Sequence, residues 1–190
     1  MSRIHAAEQL DQTALEQADA QGRLELQTVA IYAHRPESRE ALWALMGSFG
    51  EQASGTLSPR LIELVRLRIA YWNQCRSCMS VRYQPDLVSQ DTVCSLERPE
   101  DAPDLTDAEK AALRYADLMA TDHLSIDDEV FDNLRAHFSE GEIVELGMFC
   151  AAAVGFGRLV ATWHLTDHLH ESFQGEQTQP FVPWGDGALR

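Results

Sequence analysis

The sequence predicts an all-α fold, and three observations carry that prediction. Apolar residues recur at helical spacing: Leu61, Leu64, Val65, Ile69 and Trp72 fall at i, i+3, i+4, i+8 and i+11, one face of a helix. Two capping boxes, Thr106-Asp107-Ala108-Glu109 and Ser139-Glu140-Gly141-Glu142, each stand before an apolar run. Long alternating β-branched runs, and Asn-Gly or Asp-Gly turns between such runs, are missing.

The elements follow in order. Residues 1–24 are polar and rich in Gln, Ala and Glu, which reads as a peripheral N-terminal segment. Glu25 to His34 is a short apolar stretch. Pro36 then suits a helix start, and Glu37 to Gln52 reads as a helix with Leu42, Leu45, Met46 and Phe49 on one side. Ser58-Pro59 is a cap followed by Pro at the first helical position. The helix it opens ends at Asn73, a residue suited to the left-handed conformation. Cys75 to Gln84 reads as a short helix stopped before Pro85, and Asp91 to Asp104 as a long acidic loop. The Thr106 box opens a helix to about Thr121. Ser125 and the acidic Asp127, Asp128 and Glu129 open another, ending near Phe138. The last helix, Ile143 to about Leu165, is mostly apolar and is predicted to be the central buried one. Residues 25–170 therefore form one helical domain, and 171–190 a C-terminal tail that docks through Phe181 and Trp184 or packs on a partner subunit. Leu61-Ile62-Glu63-Leu64 echoes Ile143-Val144-Glu145-Leu146, and at the same offset Ala70 meets Ala152 and Arg82 meets His164. These matches fit either chance or two copies of one helical unit packed as a pseudo-symmetric pair.

Composition narrows the function. The 190 residues carry 15 Lys+Arg and 30 Asp+Glu, a net charge of −15. A basic face, which binding to nucleic acid or to an anionic membrane surface requires, is not to be expected of such a chain. A hydrophobic share of 45% is that of a globular protein. Four cysteines are too few for a disulfide scaffold. No signal peptide is visible, and no stretch approaches the ~20 uncharged apolar residues of a membrane span. The expectation is a soluble protein of a reducing cytoplasm.

The chemistry concentrates in Cys75-Arg76-Ser77-Cys78. On a helix, i and i+3 share a face, so the two sulfurs can close a small disulfide. If the helix begins near Cys75, its unpaired N–H groups and dipole favour a thiolate, and Arg76, Arg82 and Arg68 add positive charge. A redox pair, a structural zinc site and inert buried cysteines all fit a bare CxxC. Zinc is disfavoured because no second CxxC or close His pair supplies the other ligands.

The stretch Ser58 to Ala70, running into Cys75 and Cys78, resembles the alkylhydroperoxidase D / carboxymuconolactone decarboxylase family. The peroxidase branch of that family carries Glu, eleven residues, Cys, two residues, Cys, three residues, His. Glu63, Cys75 and Cys78 match in type and spacing, and Arg82 stands where the His belongs. The resemblance covers roughly residues 25 to 165. It implies an all-helical fold that assembles into homo-oligomers, with no cofactor. It also implies a thiol-dependent peroxidase cycle on a small hydroperoxide, with Cys78 attacking, Cys75 resolving, Glu63 starting a proton relay and a thiol or dithiol as reductant. An arginine cannot relay protons as histidine does. At i+4 from Cys78, Arg82 is instead expected to stabilise the thiolate and pair with Glu63. A non-enzymatic redox sensor or oligomeric binding protein, and a lactone decarboxylase of the same superfamily, are the rival readings.

Other candidates are plainer. His164 and His168, with Asp167 and Glu171, form a stripe able to hold a divalent metal, although solvated helix-end histidines are commoner. His164 is also a possible substitute base. His123 and His137 read as surface residues, Cys150 as a small core side chain and Cys94 as a structurally neutral thiol. Tyr71-Trp72 reads as core or pocket wall, and Gly155-Phe156-Gly157 as close helix packing.

Overall fold

A computed structural model describes residues 2–7, 11–51, 54–167, 169–170 and 173–174. Among them there are helices and no strand, so the all-α prediction holds. The α-helices are α1 (Gln12–Gln17), α2 (Ala20–Tyr32), α3 (Pro36–Met46), α4 (Pro59–Trp72), α5 (Arg76–Ser80), α6 (Gln90–Ser95), α7 (Asp107–Thr121), α8 (Asp128–Arg135) and α9 (Glu140–Trp163).

Helix α4 lies at the centre and packs on α5, α7 and α9. Its first turn is closed as expected, with Pro59 at the start and the Ser58 hydroxyl accepting from the Leu61 N–H at 3.2 Å. The predicted face is buried: Leu61, Leu64, Val65 and Ile69 are all inside, and so are Glu63 and Arg68. Trp72 departs from that face and is exposed, donating its indole N–H to Asp117 at 2.6 Å.

The end of α4 differs from expectation by one residue. Asn73 is still right-handed, and Gln74 takes the left-handed conformation at φ 51°. The Gln74 N–H then bonds the Tyr71 carbonyl (2.9 Å) and the Cys75 N–H the Ala70 carbonyl (3.1 Å), a Schellman closure. Asn73 is occupied elsewhere: its amide donates to the Ala153 carbonyl (3.1 Å) and accepts from Arg158 (3.1 Å). Helix α9 passes so close that a Cβ on Gly157 would collide with the side-chain amide of Asn73. Close helix packing therefore holds at Gly157, whereas Gly155 faces open space.

Three further expectations are corrected. The segment 91–104 is not a plain loop, because Ser89 caps α6 and Val93 and Leu96 are buried; a short 3-10 turn, Pro99–Asp101, follows. Helix α2 runs across the expected boundary at residue 24 and buries Leu24, Ala30 and Ile31. Helix α9 is not wholly buried. Ile143, Leu146, Phe149 and Cys150 face the core, while Val144, Met148 and Leu159 are exposed. This helix is long and apolar enough to cross a membrane by length and composition, yet it packs on α4, α5 and α7. The docking expected of Phe181 and Trp184 lies outside the described residues.

Both capping boxes form. In the second, the Ser139 N–H donates to Glu142 (2.8 Å) and the Glu142 N–H to Ser139 Oγ (3.3 Å). Ser139→Ala removes one acceptor from the start of α9 and is expected to lower stability by about 1 kcal/mol. Urea unfolding followed by circular dichroism measures this, and an unchanged midpoint would contradict it.

Candidate functional site

The Schellman turn delivers Cys75 to the N-cap of α5, where its sulfur accepts from the Cys78 N–H at 3.3 Å. The two residues are joined as a disulfide, with Cα atoms 5.2 Å apart. The partners are unequal. Cys75 is fully buried, whereas Cys78 is half-buried and lines a cavity of about 650 Å³. Glu63 and Arg66 of α4 line the same cavity.

Glu63 is 1% exposed, so its charge depends on what surrounds it. Arg66, one turn further along α4, grips both carboxylate oxygens: Nε donates to Oε2 at 2.8 Å and Nη2 to Oε1 at 2.9 Å. The Tyr83 N–H donates to Oε1 at 3.0 Å. Burial alone would raise the Glu63 pKa. The bonds and charge of Arg66, the Tyr83 N–H and the charge of Arg82 outweigh it and hold the carboxyl below its ordinary value. The same guanidinium reaches across to the cysteine segment, donating from Nη1 to the Cys78 carbonyl and from Nη2 to the Val81 carbonyl, both at 2.7 Å. It therefore ties α4 to the end of α5. Sequence reading missed Arg66; its signal is a basic residue at i+3 from a glutamate facing other helices.

The other predicted residues divide. Arg82 is near Glu63, with Nε 4.0 Å from Oε1, but the close pair is Arg66. The expectation that Arg82 shares a helical face with Cys78 fails because α5 ends at Ser80 and Val81 is extended. Arg82 turns instead to the following loop, donating to the Val88 carbonyl (2.6 Å) and Gln90 Oε1 (3.1 Å). Arg68 points away from the cysteines and pairs with Asp117 at 2.6 Å. Arg76 donates to the Gln174 carbonyl at 2.9 Å. Tyr71 and Trp72 do not line the cavity; Arg68 lies over both rings, 5.4 and 5.0 Å from their centres.

His164 is the left-handed cap of α9 and lies 3.4 Å from Thr166 Oγ1, outside the cavity wall. His168 lies outside the described residues, among which no His, Cys, Asp and Glu cluster could hold a metal. His123 and His137 are exposed, as expected. Cys150 is buried, which pushes its thiol up to about 12. Cys94 is a half-buried free thiol that accepts from Gln90 at 3.6 Å.

Removing Arg66 strands a buried carboxylate and two carbonyls. Arg66→Met is expected to cost about 3–5 kcal/mol in unfolding free energy. Because the folded Glu63 pKa is lowered, its contribution is complete above the unfolded value near 4.5 and is lost as pH falls through the folded value. The wild-type chain should lose more stability between pH 7 and pH 3 than the double variant Glu63→Gln/Arg66→Met. Parallel denaturation curves at each pH would show that the pair does not set the acid limb.

Comparison with known proteins places this geometry. No family model matches the chain. Two uncharacterized proteins of Mycobacterium tuberculosis are each 40% identical to it over 95 residues, 47% of the chain, and the chain spans about a third of their length (33%). A solved structure of a protein of unknown function from Agrobacterium tumefaciens, proposed to be an AhpD antioxidant defence protein, superposes with a TM-score of 0.63 at 27% identity. That match covers 70% of this chain and 92% of that one. An uncharacterized peroxidase-related protein with an alkylhydroperoxidase AhpD core, from Ralstonia eutropha JMP134, superposes with a TM-score of 0.65 over 90% of this chain and 94% of that one. Its 20% identity speaks for the fold alone. The helical architecture of this chain is therefore that of the AhpD-like proteins, which it resembles.

Proposed function

We propose that the chain is a thiol-dependent, peroxidase-type antioxidant protein that cycles between a Cys75/Cys78 dithiol and the disulfide. The observation that carries this reading is the asymmetry of the pair: Cys78 lines the cavity and Cys75 is sealed behind it. An attacking sulfur needs access, and a resolving sulfur needs only its partner.

The cycle balances as follows. Cys78 gives its proton to water, and the thiolate attacks the outer oxygen of a hydroperoxide. The O–O bond breaks, an S–O bond forms, and the departing alkoxide takes up a proton to leave as alcohol. Cys75 then attacks the sulfenic sulfur, the S–S bond forms, and the hydroxyl departs with the Cys75 proton as water. A thiol or dithiol donor restores the pair by exchange. Glu63 acts here as a positioning residue rather than a base, because Arg66 and the Tyr83 N–H hold it as an anion.

The reading carries a cytoplasmic setting, where dithiol donors are at hand. It also carries self-association into homo-oligomers, supported by the exposed apolar Val144, Met148 and Leu159 of α9. A second reading, a redox sensor without turnover, is favoured by Arg82, which supplies no transferable proton where the family's peroxidases have a histidine.

Cys78→Ser is expected to lower peroxide consumption to the protein-free rate in a coupled dithiol assay. A variant as fast as wild type removes the peroxidase reading. Arg82→His is expected to raise turnover about tenfold or more. No gain in a folded variant would show that the missing histidine does not limit the reaction.

A further inference from the structure

We infer that Arg76 is a redox-dependent clamp that carries the state of the Cys75/Cys78 pair to the segment following α9, an assignment that rests on the dithiol–disulfide cycle proposed above. Arg76 lies between the two cysteines and opens α5. Its side chain is buried, and its chemistry is spent far along the chain: Nη1 donates to the Gln174 carbonyl at 2.9 Å and to the Phe173 carbonyl at 3.4 Å. The residue enclosed by the disulfide is thus the one that holds the main chain some hundred positions later.

The segment it holds depends on such anchors. His164 ends α9 in the left-handed conformation, and among the described residues after it the backbone makes turns and no α-helix. The Leu169 N–H donates to the Thr166 carbonyl at 3.2 Å and the Phe173 N–H to the His170 carbonyl at 2.8 Å. Leu165, Leu169 and Phe173 are buried in the core. Gln174 bonds back through its side-chain amide to the Leu169 carbonyl at 2.6 Å. Arg76 supplies the link from this segment to the cysteine helix.

Helix α5 has five residues, too few to be stable alone. The S–S bond ties Cys75 to Cys78 across its first turn, with Arg76 inside that turn. The far end is held in either state by Arg66, through the Cys78 and Val81 carbonyls. A thiol or dithiol donor, itself oxidised to a disulfide, adds two electrons and two protons, breaks the S–S bond and leaves two thiols. The loosening then falls on the first turn. Each opening of that turn withdraws the guanidinium from both carbonyls, and a buried carbonyl left without a donor is costly, so the segment opens with it. The disulfide holds the segment firmly and the dithiol holds it loosely. Such an output requires no turnover and would serve a sensor as well as a peroxidase.

Amide hydrogen exchange of the full chain tests this, read at residue level by mass spectrometry for the disulfide form and after reduction by tris(2-carboxyethyl)phosphine. The Leu169 and Phe173 amides are expected to exchange about fivefold faster in the reduced protein, with Leu113 and Ala116 of α7 unchanged. Cys78→Ser, which cannot close the bond, should exchange as the reduced protein does. In Arg76→Met, or in Arg76→Gln if that variant folds better, both amides should exchange in the disulfide form as fast as in the reduced wild type, and reduction should add nothing. Four results would each overturn the inference: equal exchange in both states of the wild type, acceleration spread evenly into α7, Cys78→Ser protected like the disulfide form, or a full redox difference in a folded Arg76 variant. Peroxide consumption is measured separately. State-dependent exchange without turnover keeps the clamp and removes the peroxidase reading. Turnover with exchange that ignores the redox state does the reverse.

Discussion

The arrangement turns on one buried guanidinium. Arg66 neutralises Glu63 on its own helix and caps two carbonyls at the end of the cysteine helix. A lone carboxylate as deep as Glu63 would be expensive, and a five-residue helix has little stability of its own. The same side chain solves both problems. Because four donors are fixed by protein acceptors, the geometry around Cys78 is set before any ligand arrives, as a preorganised site requires.

That economy has a chemical consequence. A glutamate gripped from both oxygens is a stable anion and a poor base. The neighbouring Arg82 is bonded to the Val88 carbonyl and to Gln90 and carries no proton it can give up near neutral pH. The site therefore offers an accessible sulfur, a sealed sulfur and a fixed charge pattern, but no titratable relay between them among the described residues.

Helices α4 and α9 share a further device. They pack on one another, and each carries a glutamate that pins a loop: Glu63 accepts from the Tyr83 N–H, and Glu145 accepts from the N–H groups of Gly50 and Thr56, each at 2.7 Å. These two residues correspond in the internal echo of the sequence. They differ in their neutralising partner. Glu63 has a guanidinium, while Glu145 relies on backbone donors and the Thr56 hydroxyl. Only the first side of the pair leads into a bonded cysteine pair, Cys75 and Cys78.

Much of this was legible locally. Capping boxes at Thr106 and Ser139, the Ser58-Pro59 start and the apolar face of α4 depend on residues within a turn or two, so the chain order alone specifies them. The CxxC of Cys75 and Cys78 was equally readable from spacing, and Glu63 joined it through the resemblance to a known family. What lay beyond reach depended on distant partners. Gln74 rather than Asn73 turns left-handed because Asn73 is claimed by α9, 80 residues or more away. Arg82 leaves the face of Cys78 because the chain straightens at Val81, where Arg66 takes the carbonyl. Residues 91–104 fold into most of α6 and a 3-10 turn because Val93 and Leu96 find a core to enter. The cavity itself is walled by α2, α3, α4, α5 and α9 together, so no single segment encodes it.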